Sequence, residues 1–447
     1  MNATRLRDRS VLVMGLGRFG GGIGVTRWLC AQGARVTVTD LADRSALAGP
    51  LARLGDCEVK LSLGQHREAD LDGVELVVVN PAVDRRRSDF FARVRQRRIP
   101  WTTEINLFLQ SCPARVIGVT GTTGKSTTCA LLHEALGGAA DGDGRVWLGG
   151  NLGRSLLEEL PRMSPGDLVV LELSSFQLEA TPLIATSPEL ALITNLRPNH
   201  LDRHGDFDAY LDAKLNLFRF QRAGCPAVVG PGDNTLARQV GAVTRQTAAT
   251  LVRVEPPGEP YALRLPGRHN QENAACAATV ARLLGVTDAL ARKRMAGFGG
   301  LPHRLEHVLR VAGADYYNDS KSTTPAGVAT ALAAFDRPVV LIVGGQDRGE
   351  DLRPLLGALG AGCRALVCTG GSGERLAGEL AARPAVGGPA VTRAADLAQA
   401  VKQAHRAARA GDVVVLSPGA PSYDRFVNYE QRGEAFRRLV ADLAGRQ

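Results

Sequence analysis

From Ser10 onward the chain alternates short, valine-rich apolar runs with longer stretches whose apolar positions recur at helical spacing. VLVMGLG (11–17) leads into an amphipathic stretch through Trp28, then ARVTVTD (34–40) and VELVVVNPA (74–82). Such runs predict parallel strands buried on both faces and joined by crossover helices, because a doubly covered strand loses the alternation of a half-exposed one. A first Rossmann-like domain is expected over 1–110. A second βα series opens at RVIGVTGTTGKSTT (115–128), continues through DLVVLELSSF (167–176) and ELALITNL (189–196), and closes near the glycine-rich GFGGLP (297–302), which makes a central domain of 111–302. PVVLIVGG (338–345), RALVCTGG (364–371) and DVVVLSPG (412–419) predict the strands of a third, again Rossmann-like, domain over 303–447. Each of these ends in glycine and then polar residues, and the carboxyl edge of a parallel sheet is where ligands are bound. The fold class is therefore α/β, in three domains.

Composition narrows the functional classes. With 447 residues, of which 45% are hydrophobic, the chain can bury several cores. No run of 18 apolar residues occurs, so no membrane span is expected, and the opening MNATRLRDRSVLVMGLG reads as a first strand rather than a signal peptide. Eight cysteines are scattered without a C-x-x-C pair, which suggests neither a disulfide framework nor a structural zinc site and fits a reducing cytoplasm. The net charge of +9 raises the question of nucleic acid, and DRRRSDFFARVRQRR (84–98) is the densest basic segment. It reads as a solvated helix face: acidic residues are interspersed along most of the chain, and aromatics, the stacking platforms for single strands, are only 5%. No nucleic-acid partner is expected, since a phosphate-bearing substrate accounts equally well for the positive balance. Of 54 basic residues only six are lysine (Lys60, Lys125, Lys214, Lys293, Lys321 and Lys402). In an arginine-rich chain a retained lysine marks places that need a compact ammonium or a modifiable amine.

The strongest local signal is GVTGTTGKST (118–127) at a predicted strand-to-helix junction. Its glycines let backbone amides turn inward around phosphate oxygens; Lys125 reaches the terminal phosphates and Ser126 can ligate magnesium. Valine at 119 departs from the strict Walker pattern, but Gly-Lys-Ser-Thr at such a junction is not a chance glycine-rich turn. The central domain is thus expected to be P-loop ATPase-like.

This form of the loop resembles the ATP site of the Mur ligase family, which includes folylpolyglutamate synthases, and further matches follow in the family's order along essentially the whole chain. The resemblance implies an ATP site of Gly121, Thr122, Thr123, Gly124, Lys125, Ser126 and Thr127. GGNLG (149–153) resembles a substrate-contacting segment through Asn151, and LELSSFQLE (171–179) the second metal-binding segment, with Glu172 as a magnesium ligand. NLRPNHLDRHG (195–205) puts His200 in the family's histidine position, with Asn199 where an acidic residue is usual. In YLDAKLNLF (210–218), Lys214 matches the lysine that these ligases carry as a carbamate, an oxygen ligand suited to Mg2+. The implied metal set is Ser126, Glu172, His200 and Lys214, and the implied catalytic residues are Lys125, His200 and Lys214. GRHNQENAACAA (267–278) resembles the adenine-side segment, with Asn270 and Asn273 one helical turn apart. GLPHRLE (300–306) and YNDSKSTTP (317–325) add Arg304, Asp319 and Lys321 to the nucleotide residues by the same resemblance.

Within the family, a domain of about 110 residues ahead of the P-loop is absent from folylpolyglutamate synthases, which favours a muramoyl-peptide ligase. GLGRFGGG (15–22) and Asp40 resemble the UDP site of the D-glutamate-adding branch, which implies Gly17, Arg18, Phe19, Asp40 and Asn151 as UDP-substrate residues; Ala82 stands where glycine is usual after Asn80-Pro81. Taken alone, Gly15-Gly17-Gly20 matches an NAD fingerprint and is a weak signal. LSPGAPSYDRFVNYEQRG (416–433) resembles that branch's C-terminal signature and implies Ser422, Tyr423 and Tyr429 for the incoming amino acid, with Thr323 opposite. Arg348 in GGQDRGED (344–351) can pair bidentately with a glutamate carboxylate, and the Asp-Asn-Pro-Arg motif of the diaminopimelate-adding relative is absent. The implied substrates are ATP, UDP-N-acetylmuramoyl-L-alanine and D-glutamate, with Mg2+ as cofactor, an acyl-phosphate intermediate and a monomeric enzyme. The alternatives are a related amide ligase using L-glutamate or another nucleotide-linked acceptor, a catalytically retired nucleotide-binding partner protein, and an NAD oxidoreductase.

Overall fold

The computed structural model describes residues 6–17, 20–137, 144–153, 155–296, 298–360, 362–382 and 388–445. Three sheets are built in chain order. The first holds β1 (Ser10–Met14), β2 (Arg35–Asp40), β3 (Val59–Leu63), β4 (Leu76–Val79) and β5 (Trp101–Thr102), all parallel, in the order β3-β2-β1-β4-β5. The second holds β6 (Arg115–Thr120), β7 (Val146–Gly150), β8 (Leu168–Glu172), β9 (Leu190–Ile193), β10 (Pro226–Val229) and β11 (Thr250–Arg253), also all parallel, in the order β11-β10-β9-β6-β8-β7. The third holds β12 (Glu306–Val311), β13 (Ala314–Asn318), β14 (Val339–Val343), β15 (Cys363–Thr369), β16 (Ala390–Ala394) and β17 (Val413–Leu416), in the order β12-β13-β17-β14-β15-β16. Here β12 and β13 form an antiparallel hairpin and the remaining pairings are parallel.

The apolar runs read from the sequence are the inner strands. LVVV in β4, VVLIV in β14 and VVVL in β17 are buried throughout, as strands covered by helices on both faces must be. In the first sheet the chain reverses its winding at β1, whose neighbours are β2 and β4. Such a switch point opens a crevice at the carboxyl ends of the strands, and here those ends are Gly15–Gly17 and Asn80.

Two compact units result: Met1–Glu259 with Glu272–Arg294, and Pro260–Gln271 with Met295–Gln447. The first unit contains both of the first two sheets. A single apolar cluster explains why: Ile23 and Trp28 of the helix Gly21–Ala31 and Phe108 of the helix Glu104–Ser111 share it with Leu156, Leu157 and Val169. The second unit has a core on each face of its sheet, one including Leu341 and Val415, the other Ile342 and Val414. The helix Arg268–Leu283 has its first turn in the second unit and the rest in the first. Among the described residues no helix is long and apolar enough to cross a membrane.

Candidate active site

The P-loop joins β6 to the helix Lys125–Leu136. Gly121 (φ 149°) and Gly124 (φ 78°) lie in the left-handed region, and neither has room for a side chain: a Cβ would fall 2.0 Å from Thr194 Oγ1 at the first and 2.2 Å from Asn273 Oδ1 at the second. The loop is pinned from the neighbouring strand end. Asn195 O accepts from Thr122 N (3.1 Å), Asn195 Oδ1 accepts from Thr123 N (3.1 Å), and Thr194 Oγ1 donates to Thr123 O (2.8 Å). No side chain caps the helix at Gly124, so the first-turn amides, with the positive end of the helix dipole, are directed at whatever anion the loop holds. Ser126 is buried on that first turn, Thr127 is half-buried and Thr123 is exposed.

Lys125 and Lys214 converge on one carbonyl. Gly121 O accepts from Lys125 Nζ at 2.9 Å and from Lys214 Nζ at 2.9 Å; Lys125 also donates to Thr122 O (3.0 Å) and Lys214 to Thr120 Oγ1 (3.3 Å). Lys214, on the helix Phe207–Leu215, is 1% exposed, with its amine 4.8 Å from the centre of the Tyr210 ring. Burial, helped by the charge of Lys125, pushes its pKa well below the ordinary lysine value. Tyr210 also meets the loop through its hydroxyl, 3.1 Å from Thr122 Oγ1. The sequence pointed to this helix for its lysine and passed over the tyrosine one turn earlier.

Glu172 closes β8 at 2% exposure. Its Oε1 accepts from Asn151 Nδ2 (2.9 Å), and its backbone carbonyl accepts from Asn151 N (2.9 Å). Its Oε2 is buried without a hydrogen-bond partner among the described residues. A buried carboxylate oxygen left unpaired is costly unless a cation completes it, so this donor fits a hard metal ion such as Mg2+. Lys214, as the free amine, is a hydrogen-bond donor here and becomes an oxygen ligand only as a carbamate. Among the described residues no three His, Cys, Asp or Glu side chains form a metal-binding group. His200 follows the β9 loop with φ 54°; its ring lies 5.2 Å from Phe176 and 6.5 Å from Tyr210. Desolvation first, then Lys125, holds its pKa below the ordinary histidine value.

In the crevice of the first sheet, Asp40 Oδ2 accepts from Leu16 N (2.9 Å) and Gly17 N (3.2 Å), and its Oδ1 from Ala42 N (2.9 Å). Asp40 thus fixes the glycine turn, and Asn80 Nδ2 donates to Gly15 O (3.2 Å) from the other side of the switch point. Arg18 and Phe19, expected at the same place, lie outside the described residues.

In the second unit the expected residues gather on the loops that leave the carboxyl ends of β13, β14 and β17. Asp319 accepts from Leu305 N (3.2 Å) and Ser417 Oγ (2.8 Å), and burial raises its carboxyl to about 7. Lys321 Nζ lies 5.3 Å from the ring of Tyr429, the first residue of the helix Tyr429–Ala444, and the Arg348 guanidinium lies 5.7 Å from the ring of Tyr423. Ser422 is buried, while Thr323 and Arg304 are half-buried. Asn270 donates to Pro266 O (2.7 Å), and in the first unit Asn273 Oδ1 accepts from Thr128 Oγ1 (3.2 Å). Arg432 was missed: 3% exposed, it donates to Ser320 Oγ (3.0 Å), Ser320 O (2.9 Å) and Ala420 O (3.0 Å), and so joins the loops after β13 and β17. Its only sequence signal was its place in VNYEQRG.

Family models match three successive segments: the Mur ligase MurD-like N-terminal domain over residues 9–100, the Mur ligase middle domain over 119–254, and the Mur ligase glutamate ligase domain over 303–419. A relative from Geotalea uraniireducens (strain Rf4), named UDP-N-acetylmuramoylalanine--D-glutamate ligase, is 36% identical over 459 residues, covering 98% of each chain. Among solved structures, UDP-N-acetylmuramate-alanine ligase MurC from Thermotoga maritima superposes with a TM-score of 0.60 at 19% identity, covering 98% of this chain and 100% of that one. The bifunctional folylpolyglutamate synthase/dihydrofolate synthase of Yersinia pestis, solved with AMPPNP and a manganese ion, does so with a TM-score of 0.54 at 19% identity, over 75% of this chain and 93% of that one.

Proposed function

Because the chain belongs to the Mur ligase family, we propose that it joins D-glutamate to UDP-N-acetylmuramoyl-L-alanine at the expense of ATP, a step in building peptidoglycan precursors. The reaction is an amide ligation. A carboxylate resists attack by an amine, so the acceptor's carboxylate is first phosphorylated, and the amine of glutamate then displaces phosphate from the acyl phosphate. The observation that supports this reading most directly is the pairing of two lysine amines on Gly121 O beside the unpaired Glu172 Oε2. Cationic and anionic groups gathered at a P-loop support phosphoryl transfer.

The residues take these roles. The glycine turn and the first-turn amides of the P-loop helix cradle the phosphates, and Lys125 turns from its loop carbonyls to the transferred phosphoryl group. His200, neutral at physiological pH, donates a hydrogen bond to the acyl phosphate without adding a fixed charge. Glu172, Ser126, His200 and Lys214 as a carbamate would hold Mg2+, which supplies charge neutralisation on the phosphate oxygens. Asn151, held by Glu172, and the turn at Gly17 and Asp40 bind the nucleotide-linked acceptor. Asn270, Asn273, Arg304, Asp319 and Lys321 serve the nucleotide; Thr323, Arg348, Ser422, Tyr423 and Tyr429 serve glutamate, with Arg348 pairing to its carboxylate. This divides the chain into an acceptor domain (1–110), a nucleotide domain (111–302) and a glutamate domain (303–447). Substrates of this kind, together with eight free thiols, support a cytoplasmic enzyme.

The test is phosphate release from ATP with UDP-N-acetylmuramoyl-L-alanine, comparing D-glutamate, L-glutamate and no amino acid. Release that depends on D-glutamate is the expected result. Turnover with L-glutamate alone would reassign the amino acid, and no turnover with either enantiomer would remove the glutamate-ligase reading.

A further inference from the structure

The helix Leu201–His204 is a single turn that starts at His200, and the backbone is left-handed at both its ends, at His200 (φ 54°) and Gly205 (φ 94°). A lone turn has no stability of its own in water, so its side chains must hold it in place. Two of them do. Arg203 reaches the loop after β4 in the first sheet: its Nη1 donates to Ala82 O and its Nη2 to Val83 O, each at 3.4 Å, and its Nε lies 3.5 Å from Asp84 Oδ2. The same guanidinium lies over the Phe176 ring, 4.6 Å from its centre. His204, 1% exposed, is fixed by Ser175 Oγ (3.0 Å from Nε2) and by stacking of its ring on Phe176 at 5.1 Å, with Glu179 Oε1 lying 3.0 Å from Nδ1. From the opposite side Arg86 donates to His204 O, and Arg85 pairs with Glu179 at 2.5 Å. A cavity of 420 Å³ opens between these groups, lined by Pro81, Asp84, Phe176 and Arg203 among others.

The loop so gripped begins at Asn80, on the switch point where the glycine turn meets β4, and the ring of His200 at the head of the turn lies 6.5 Å from that of Tyr210, whose hydroxyl meets the P-loop at Thr122 Oγ1. We propose that Arg203 is a positioning residue that ties the acceptor-side loop 82–84 to His200, so that an acceptor seated at the first sheet and the phosphoryl chemistry at the P-loop stay in register. The inference rests on the ligase reading above. It depends on the guanidinium fork, because two carbonyls and a carboxylate cannot all be spanned by the single ammonium of lysine.

The experiment is steady-state kinetics of the full chain as wild type, Arg203→Lys, Arg203→Gln, Asp84→Asn and the Arg203→Gln/Asp84→Asn pair, with melting temperatures measured alongside. A positioning role predicts that Arg203→Gln lowers kcat/KM for the acceptor by about 100-fold, the scale of a misplaced reacting group. It also predicts that KM for ATP and the melting temperature hold, that Arg203→Lys recovers only a small part, and that adding Asp84→Asn costs little more than Arg203→Gln alone. An acceptor kcat/KM within about two-fold of wild type would overturn the proposal, as would a loss that tracks the melting temperature or raises KM for ATP equally. If wild type itself turns over no acceptor, the ligase reading falls and takes this inference with it; an active wild type with an indifferent Arg203→Gln removes this inference alone.

Discussion

At the scale of single residues the site is built on lysine rather than arginine for a chemical reason. Lys214 is 1% exposed and its pKa is driven well down by burial, so its amine is available in the neutral, nucleophilic form that adds carbon dioxide. A guanidinium at the same place would stay charged and could not form the carbamate. Lys214→Arg is therefore expected to lower kcat by 100-fold or more, while Lys214→Ala should regain part of its activity when a short carboxylate such as acetate is added. Equal activity with and without carboxylate, or a fully active Lys214→Arg, would remove the carbamate from the mechanism. Glu172 carries the complementary expectation. Its Oε2 has no hydrogen-bond partner among the described residues, whereas its Oε1 is held by Asn151, so Glu172→Gln keeps the packing and loses the anionic donor. Its loss of activity should shrink as the Mg2+ concentration is raised; a deficit independent of Mg2+ would mean that the carboxylate does not serve the ion.

At the scale of elements, Asp167 shows how a strand edge is fastened. It lies 2% exposed just ahead of β8, and it accepts from Arg145 N (2.9 Å), Trp147 Nε1 (2.7 Å), Ser164 N (3.2 Å) and Ser164 Oγ (2.9 Å). Burial alone would raise its pKa, but these four donors outweigh it and hold the carboxyl at about 2. A folded pKa below the unfolded value of about 3.9 gives stability that is present above pH 4 and lost as pH falls toward 2. Asp167→Ala should cost on the order of 3 kcal/mol at neutral pH and flatten the acid limb of a urea-denaturation series between those values; an unchanged acid limb would deny Asp167 that role. Asp167 was legible only as the first letter of an apolar run, since nothing in DLVVLELSSF announces the donors that reach it from β7 and the preceding turn. The inner strands were legible because burial on both faces writes itself as an unbroken apolar run. The β12–β13 hairpin was not: β12 alternates half-buried and exposed positions, and its opening residues read as the end of a nucleotide-site loop. The P-loop was legible because its glycines and Gly-Lys-Ser-Thr lie together at one strand-to-helix junction, whereas Glu172 and Lys214 were singled out only by the family resemblance. Arg203 and Arg432 were not, because each acts across segments far apart in sequence. The basic stretch 84–98 divided: Phe90, Phe91 and Val94 bury one face of the helix Asp89–Gln96 as an amphipathic reading implies, while Arg85 and Arg86, ahead of that helix, turn to the second sheet.

At the scale of the molecule, the first unit folds its two sheets around one cluster. Ile23, Trp28 and Phe108, from helices of the first sheet, share it with Leu156, Leu157 and Val169 of the second. Sequence reading placed a boundary near 110 from the rhythm of strands and helices, and rhythm carries no information about whether two sheets bury apolar surface together. The first sheet also packs Leu12, Met14, Val77 and Val79 against Phe90, Phe91 and Val94 on its other face, but opening the shared cluster exposes apolar surface of both sheets at once, which couples their unfolding. Two tryptophans report on the shared cluster, Trp28 from the first sheet's helix and Trp147 from the second sheet, while Trp101 packs against the first sheet's other cluster. Variants retaining Trp28 alone or Trp147 alone should therefore give fluorescence transitions in urea with the same midpoint. Leu157→Ala, which empties a fully buried position in that cluster, should cost roughly 2–5 kcal/mol and move both midpoints together. If the Trp147 midpoint moved while the Trp28 midpoint stayed, the two sheets would be independent folding units, and the boundary near 110 would be thermodynamic as well as topological.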